Sequence, residues 1–379
     1  MKIIIVAGEP SGDQLAAGFV RKLKEYYPNA QIEGIAGEKM QSNGCKSLYN
    51  MQILSVMGVV EVIKSLPKIL KVRYGLLKYL KKDLPDIYIG VDAPDFNLPI
   101  EKKMRLLGVK TIHYVSPSVW AWREGRLKTI KKATNVVLSI LPFEEAYYAN
   151  HNHKAIFVGH PLANKIPQKV DCTEKKSIFN FCERDYVVGI LPGSRIQEVI
   201  RLLPPFLEAA ILLQKKIPDI KFILPLADEA MYDCLESYEH LLKQISIKVI
   251  CKNSHDAIAA CDSVMVASGT ATLEVMLYKK PMLMAYKLNK FNFFLAKIFI
   301  KIKRFSLPNI LANDDLICEL IQDSVTPENI FNEMMKIYSD HNYRNHMISK
   351  FILMHKSMDL DSDKLAFNVV HDMLNGRYE

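Results

Sequence analysis

The chain reads as two consecutive α/β domains, each a parallel sheet wrapped by helices. Three observations predict this. Apolar, β-branched runs of five or six residues alternate with stretches of helical period along most of the sequence, as strands buried on both faces and joined by crossover helices require. The length of 379 residues suits two domains of roughly 150–200 residues. Half-way along, the polar stretch Gly159–Lys169 with its two prolines interrupts the rhythm and marks the domain boundary.

Taken in order, the first half predicts strands at Lys2–Ala7, Gln31–Ala36, Asp86–Val91, Lys110–Val115, Asn135–Ile140 and Ala155–Gly159. Each is an apolar run bounded by polar or Gly/Pro residues. Helices are predicted at Asp13–Tyr27, Leu98–Leu107, Glu124–Ala133 and Phe143–Asn150. The second half predicts strands at Val187–Leu191, Phe222–Leu226, Ile247–Ile250, Ser263–Ala267 and Met282–Tyr286, with helices between them. After Pro327 the pattern is helical to the end. Ser306–Asn309 and Glu319–Gln322 read as loops.

Residues 56–82 form a separate unit. Val59, Val62, Ile63, Leu66, Ile69, Leu70, Leu77 and Leu80 recur at three- and four-residue steps with lysines between them, and Pro67 is expected to kink or divide the helix. Residues 64–82 carry seven Lys/Arg and no acid, and residues 287–304 carry six and no acid. Outside these two stretches acids outnumber bases, 41 to 37, so the net charge of +9 is a local surplus. A basic amphipathic helix suits an anionic membrane interface, and a domain helix facing its own core is the bland alternative. The basic residues are interleaved with aliphatic ones and no nucleic-acid-binding module appears, so no nucleic-acid partner is expected. Seven scattered cysteines without C-x-x-C spacing point to reduced thiols in a cytosolic protein, with no zinc site. No apolar run reaches the roughly 18 residues needed to span a bilayer, and the first strand is too short an apolar run for a signal sequence.

Five polar turns follow predicted strands, where open α/β sheets place their ligands. Val264–Glu274 is strand, then Ser268-Gly269, then a helix from Thr270 to Leu277. The glycine permits close backbone approach, and the helix start offers free N–H groups to an anion. Ser268, Gly269, Thr270 and Ala271 therefore suit a diphosphate, and Glu274 could accept from ribose hydroxyls or be merely solvated. Gly189–Arg195 repeats the arrangement, with Ser194 in the turn and Arg195 as a permanent charge for phosphate oxygens or for a surface salt bridge. In Gly8–Asp13, Glu9, Ser11 and Asp13 lie beyond the first strand; Asp13 could instead cap the next helix. In Ile89–Asn97, Asp92 could take a proton from a substrate hydroxyl, and Asp95 could do the same or cap a helix from Asn97. Ser116–Arg123 holds both tryptophans, Trp120 and Trp122, beside Arg123, as a pocket wall or as core.

Together, Gly8–Asp13, Ile89–Asn97, His113–Arg123, Leu191–Arg195, Ser268–Glu274 and Ser306–Asn309 resemble the lipid-A-disaccharide synthase family in order and spacing. The resemblance implies a GT-B fold: two Rossmann-like domains with parallel sheets facing across a cleft. They would span residues 1–165, completed by a C-terminal helix at about 355–379, and residues 166–354. It implies an inverting transfer of 2,3-diacylglucosamine from UDP-2,3-diacylglucosamine to the 6′-hydroxyl of 2,3-diacylglucosamine 1-phosphate (lipid X), with neither metal nor cofactor. By motif, Asp92 is the general base, and Glu9 and Arg195 are counted with it as catalytic. Arg195, Ser194 and the Ser268–Thr270 helix start hold the diphosphate, Glu274 the ribose, and Asn309, Glu319 and Gln322 fall on the donor side. Position 318 is Cys where the family commonly has Pro. Ser11, Asp13, Asp95, Trp120, Trp122 and Arg123 fall on the acceptor side. Val62, Ile63, Leu66, Ile69 and Leu70 coincide with the family's membrane-contacting surface. The expected setting is the cytoplasmic face of the inner membrane, peripherally bound, with a homodimer as the one self-association admitted. The competing reading is another UDP-sugar GT-B enzyme, such as a UDP-sugar 2-epimerase.

Overall fold

A computed structural model of the chain describes residues 1–55, 59–120, 124–289 and 303–377, with the side chains of 59–64, 124 and 230 left out. Two compact units emerge, Met1–Asn164 together with Met358–Glu379, and Lys165–Ser357.

The first unit is built on seven parallel strands: β1 (Lys2–Ala7), β2 (Gln31–Ile35), β3 (Lys46–Ser47), β4 (Ile87–Val91), β5 (Lys110–Tyr114), β6 (Val136–Ser139) and β7 (Ala155–Phe157). Their order across the sheet is β3-β2-β1-β4-β5-β6-β7. Strand β1 is buried on both faces because its side chains serve two cores. Ile3, Ile5 and Ala7 pack with Phe19 and Val20 of the helix Pro10–Tyr26 and with Val369 and Val370 of the last helix, Ser362–Leu374. Ile4 and Val6 face Tyr88, Phe96, Ile100 and Leu76 on the other side. The last helix is tied on by Lys110 Nζ donating to the Met373 carbonyl and by a 2.6 Å hydrogen bond between Tyr27 Oη and His371 Nδ1.

The second unit has six parallel strands: β8 (Val187–Leu191), β9 (Lys221–Leu226), β10 (Ile247–Cys251), β11 (Ser263–Ala267), β12 (Met282–Tyr286) and β13 (Cys318–Ile321), ordered β10-β9-β8-β11-β12-β13. Counted from its own first strand, each sheet begins 3-2-1-4-5-6, the order of dinucleotide-binding α/β folds. The order reverses between β1 and β4 in one unit and between β8 and β11 in the other. Crevices open there at the strands' carboxyl ends.

Three local expectations are corrected. Glu319–Gln322 is not a loop: it supplies β13 and a short 3-10 turn, because Glu319 is consumed by an internal turn described below. Ser306–Asn309 starts the helix Leu307–Ala312, with the Ser306 side chain capping the Asn309 amide. Pro67 does not divide its helix, which runs unbroken from Val59 to Lys82. A helix proline removes a single intrahelical bond, and Val72, Leu76 and Leu80 hold the following turns in the core.

Candidate active site

In the first unit Ala7 and Val91 are register partners, so Glu9 and Asp92 leave adjacent strand ends at the reversal point. Gly8 makes this closeness feasible, since a Cβ there would lie 2.5 Å from the Ala93 Cβ. Asp92 and Ala93 both adopt left-handed backbone, with φ of 53° and 43°. Such positions cost about 1–3 kcal/mol each and persist only where surroundings over-determine them. The Asp92 amide donates to the Tyr114 carbonyl at 2.8 Å, and Asn97 Nδ2 donates to the Asp92 carbonyl at 2.8 Å. The carboxylate is thus carried on a turn fixed from beneath. Burial and the neighbouring Asp92 carboxylate push Glu9 above the ordinary carboxylate range. Asp92 lines a cavity of about 320 Å³ with Val115, Ser118 and Arg126.

Asp13 does not cap its helix, and it lines a separate cavity of about 810 Å³ with Ser11. The helix starts at Pro10, and the buried Asp13 carboxylate accepts from the backbone amides of Gly37, Lys39 and Met40. Ser11 is exposed in the first turn and borders that same cavity. Asp95 does not cap a helix from Asn97, because the helix begins at Pro94 with Ala93 as its N-cap; Asp95 pairs with Arg126. Trp120 is half-buried, packs edge-on against Phe143 and donates its indole N–H to Glu144 at 3.0 Å. Glu144 is buried, and burial pushes its carboxyl up to about 7. Trp122 and Arg123 lie outside the described residues, as do 290–302 and the side chains of Val62 and Ile63. Leu66 and Leu70 are 44% and 46% exposed, whereas Ile69 is partly buried against the core.

In the second unit Leu191 and Val266 are register partners, which sets the turns of Gly193–Arg195 and Ser268–Gly269 side by side at the second reversal. Gly193 has φ of 116°, and a Cβ there would meet Glu198 Oε2 at 2.5 Å. That carboxylate accepts from the amides of Ser194 and Arg195, and its other oxygen lies 3.3 Å from Arg195 Nη1. The Arg195 side chain is 77% exposed, and beyond the one nitrogen paired with Glu198 its fork stands open to solvent. Gly269 caps the helix Thr270–Leu277 and has open space around it. Thr270 is exposed and Ala271 half-buried in its first turn. Burial pushes the Glu274 carboxyl up, with His255 opposing. Tyr286 at the end of β12 belongs to the same place: burial and Glu198 raise its phenol while Arg195 opposes.

Asn309, Glu319 and Gln322 face inward. Glu319 accepts from the amides of Phe305 and Ser306, from Ser306 Oγ and from Asn309 Nδ2. The carbonyl of the same Phe305 accepts from Ser268 Oγ at 3.2 Å. Gln322 Oε1 accepts from the Leu288 amide. These residues shape the loop bordering Ser268. Sequence reasoning missed Asn97 and Arg126 at the first site and Glu198 and Tyr286 at the second. For Asn97 a signal existed: Pro94 directly after a strand favours the first helical turn, which turns residue 97 under the preceding loop.

The sequence profile of the family described as lipid-A-disaccharide synthetase matches residues 3–370. The chain belongs to this family. Its relatives include the lipid-A-disaccharide synthase of Francisella philomiragia, 45% identical over 377 residues and 99% of both chains. That of Vibrio parahaemolyticus is 43% identical over 98% of this chain and 97% of its own. Solved structures with the same fold include the UDP-GlcNAc 2-epimerase of Neisseria meningitidis bound to UDP-GlcNAc, with a TM-score of 0.66, 12% identity and coverage of 98% and 100%. A glycosyltransferase from Rickettsia africae superposes with a TM-score of 0.61 at 11% identity, covering 99% and 98%. The fold class is therefore GT-B, two parallel-sheet α/β domains, and the epimerases are only distant structural kin of a glycosyltransferase family.

Proposed function

We propose that this chain transfers 2,3-diacylglucosamine from UDP-2,3-diacylglucosamine to the 6′-hydroxyl of 2,3-diacylglucosamine 1-phosphate, giving a β-1′,6-linked disaccharide 1-phosphate and UDP with inversion. The support is the end-to-end family match joined to the position of Asp92 and Arg195 at the two strand-order reversals. Asp92 accepts the proton of the acceptor hydroxyl as its oxygen attacks the donor's anomeric carbon. The bond from that carbon to the diphosphate breaks, and the electron pair leaves with UDP. Arg195, Ser194 and the amides at Ser268–Ala271 stabilise the growing diphosphate charge, the largest electrostatic task of the step. Glu274 accepts from the ribose hydroxyls. Glu9 stands beside Asp92 at the same reversal point, its own carboxyl raised by burial and by the Asp92 charge.

Both substrates carry acyl chains, and the helix Val59–Lys82 presents Leu66, Leu70 and Tyr74 among lysines. Among the described residues no helix is long and apolar enough to cross a membrane. The enzyme works peripherally on the anionic cytoplasmic face of the inner membrane, where it meets both substrates. The test is an incubation with both substrates that measures disaccharide 1-phosphate and UDP in equal amounts. Conversion of the donor alone to an epimer would replace this reading with the epimerase one.

A further inference from the structure

The cavity beside Asp92 has a second charged wall that the transfer as written leaves unused. Arg126 lines it, and its side chain is only 18% exposed. Its partner among the described residues is Asp95, whose side chain is 82% exposed and which engages a single terminal nitrogen, Nη2. A pair with one member in water contributes little. The guanidinium has five N–H donors, so the pairing with Asp95 leaves most of its fork for a second anion. Two of the lining residues adopt left-handed backbone: Val115 with φ of 76° and Asp92 with φ of 53°. A β-branched residue in that region is an outlier, and such strain concentrates at ligand sites. At about 320 Å³ the space falls at the lower end of the roughly 300–1,000 Å³ typical of small-ligand sites, and it is walled by one carboxylate and one guanidinium.

We propose that Arg126 binds the phosphate monoester of the acceptor sugar and so makes the enzyme select a phosphorylated acceptor over its unphosphorylated counterpart. The inference rests on the functional reading above, in which Asp92 takes the acceptor's proton. One sugar ring then spans the cavity, its hydroxymethyl oxygen at Asp92 and its phosphate at the planar fork, which matches phosphate oxygens two at a time.

The experiment compares initial rates on the phosphorylated acceptor and on the same acylated sugar without its phosphate, at saturating donor, for wild type, Arg126→Ala, Arg126→Lys and Asp95→Asn. Truncating one partner of a buried charged pair typically costs 2–5 kcal/mol. The preference in kcat/KM for the phosphorylated acceptor should therefore fall by roughly 30-fold or more in Arg126→Ala, mostly through KM. Arg126→Lys keeps the charge without the fork and should recover part of the preference, and Asp95→Asn should retain it. An unmoved preference in Arg126→Ala, or its loss in Asp95→Asn as well, would reduce Arg126 to a structural tie and overturn the proposal. Should Arg126→Ala fail to fold, the ordering of Arg126→Lys below wild type and Asp95→Asn decides the matter. If wild type yields disaccharide from neither acceptor, the functional reading itself fails, a result distinct from a disaccharide-forming enzyme indifferent to Arg126.

Discussion

Asn97 holds Asp92 by its backbone: the Asn97 side-chain amide donates to the Asp92 carbonyl at 2.8 Å and to the Val6 carbonyl at 3.3 Å, and its own oxygen accepts from Tyr88 Oη at 2.9 Å. One buried amide thereby ties together the ends of β1 and β4 and the turn between β4 and its helix. Asn97→Ala leaves the Tyr88 hydroxyl and the two carbonyls without this partner. We expect a loss of stability of about 1–3 kcal/mol per orphaned buried group, read by urea denaturation. A fall in kcat at nearly constant donor KM should accompany it. Unchanged kcat in a folded variant would separate the turn from the chemistry.

Asp92→Asn preserves the shape of the turn and removes the proton acceptor. General-base catalysis contributes typically ~10²–10⁴ in rate, and turnover should drop by that order while UDP affinity, measured by calorimetry, stays near the wild-type value. A variant with near wild-type turnover would remove Asp92 from its role.

Arg195→Ala should act on the other half of the reaction. Losing one preorganised charge-stabilising donor costs about 10²–10³ in kcat, and UDP binding should weaken together with it. The salt dependence of UDP inhibition, flatter in the variant than in wild type, checks that the lost group was a cation facing an anion.

Glu144 gives the fold a pH dependence of known sign. Its carboxyl rests at about 7 in the folded protein against an ordinary 4.5, because burial disfavours its charge more than the Trp120 and Leu141 hydrogen bonds favour it. Between these values the folded state binds more protons than the unfolded one, so stability falls as pH rises from 4.5 to about 7 and then levels. The cost above pH 7 is on the order of 3 kcal/mol. Glu144→Gln keeps an acceptor for the indole, loses the Leu141 bond, and should be more stable than wild type by about 2 kcal/mol at pH 8. The two melting temperatures should converge towards pH 4.5; a constant difference across pH would mean that Glu144 is not the titrating group.

The exposed pair on the long amphipathic helix sets a test of membrane contact. Leu66→Ser with Leu70→Ser removes two side chains that take no part in the core, so the melting temperature should hold. Retention on vesicles of anionic lipid should drop, since burying one such side chain is worth roughly 1.5–3 kcal/mol. Equal retention would move the contact elsewhere.

Much of the architecture was legible from residue order. Lys2–Ala7, Val187–Leu191 and Ser263–Ala267 are strands over the residues predicted, because a strand buried on both faces needs a short unbroken apolar run bounded by polar residues. The turns that end them were legible for the same reason. Strand Cys318–Ile321 was not, since Glu319 breaks its apolar run and reads as loop until the segment that it holds, Phe305–Asn309, is in place. Asp13 looked like a helix cap or an acceptor contact, yet its partners lie at Gly37–Met40. Leu66 and Leu80 belong to one periodic stripe, and only packing shows that the first meets solvent and the second the core.

By itself, then, the sequence determined most of the segments that become strands and helices, where polar turns interrupt them, and which family those turns resemble, because these depend on local composition and short-range periodicity. Tertiary structure alone decided which turns share a reversal point, that Arg126 stands on the cavity of Asp92, and that Asn309, Glu319 and Gln322 spend their hydrogen bonds inward. Those outcomes depend on strand order and on partners far away in the chain, and no local pattern encodes which distant donor a buried acceptor will find.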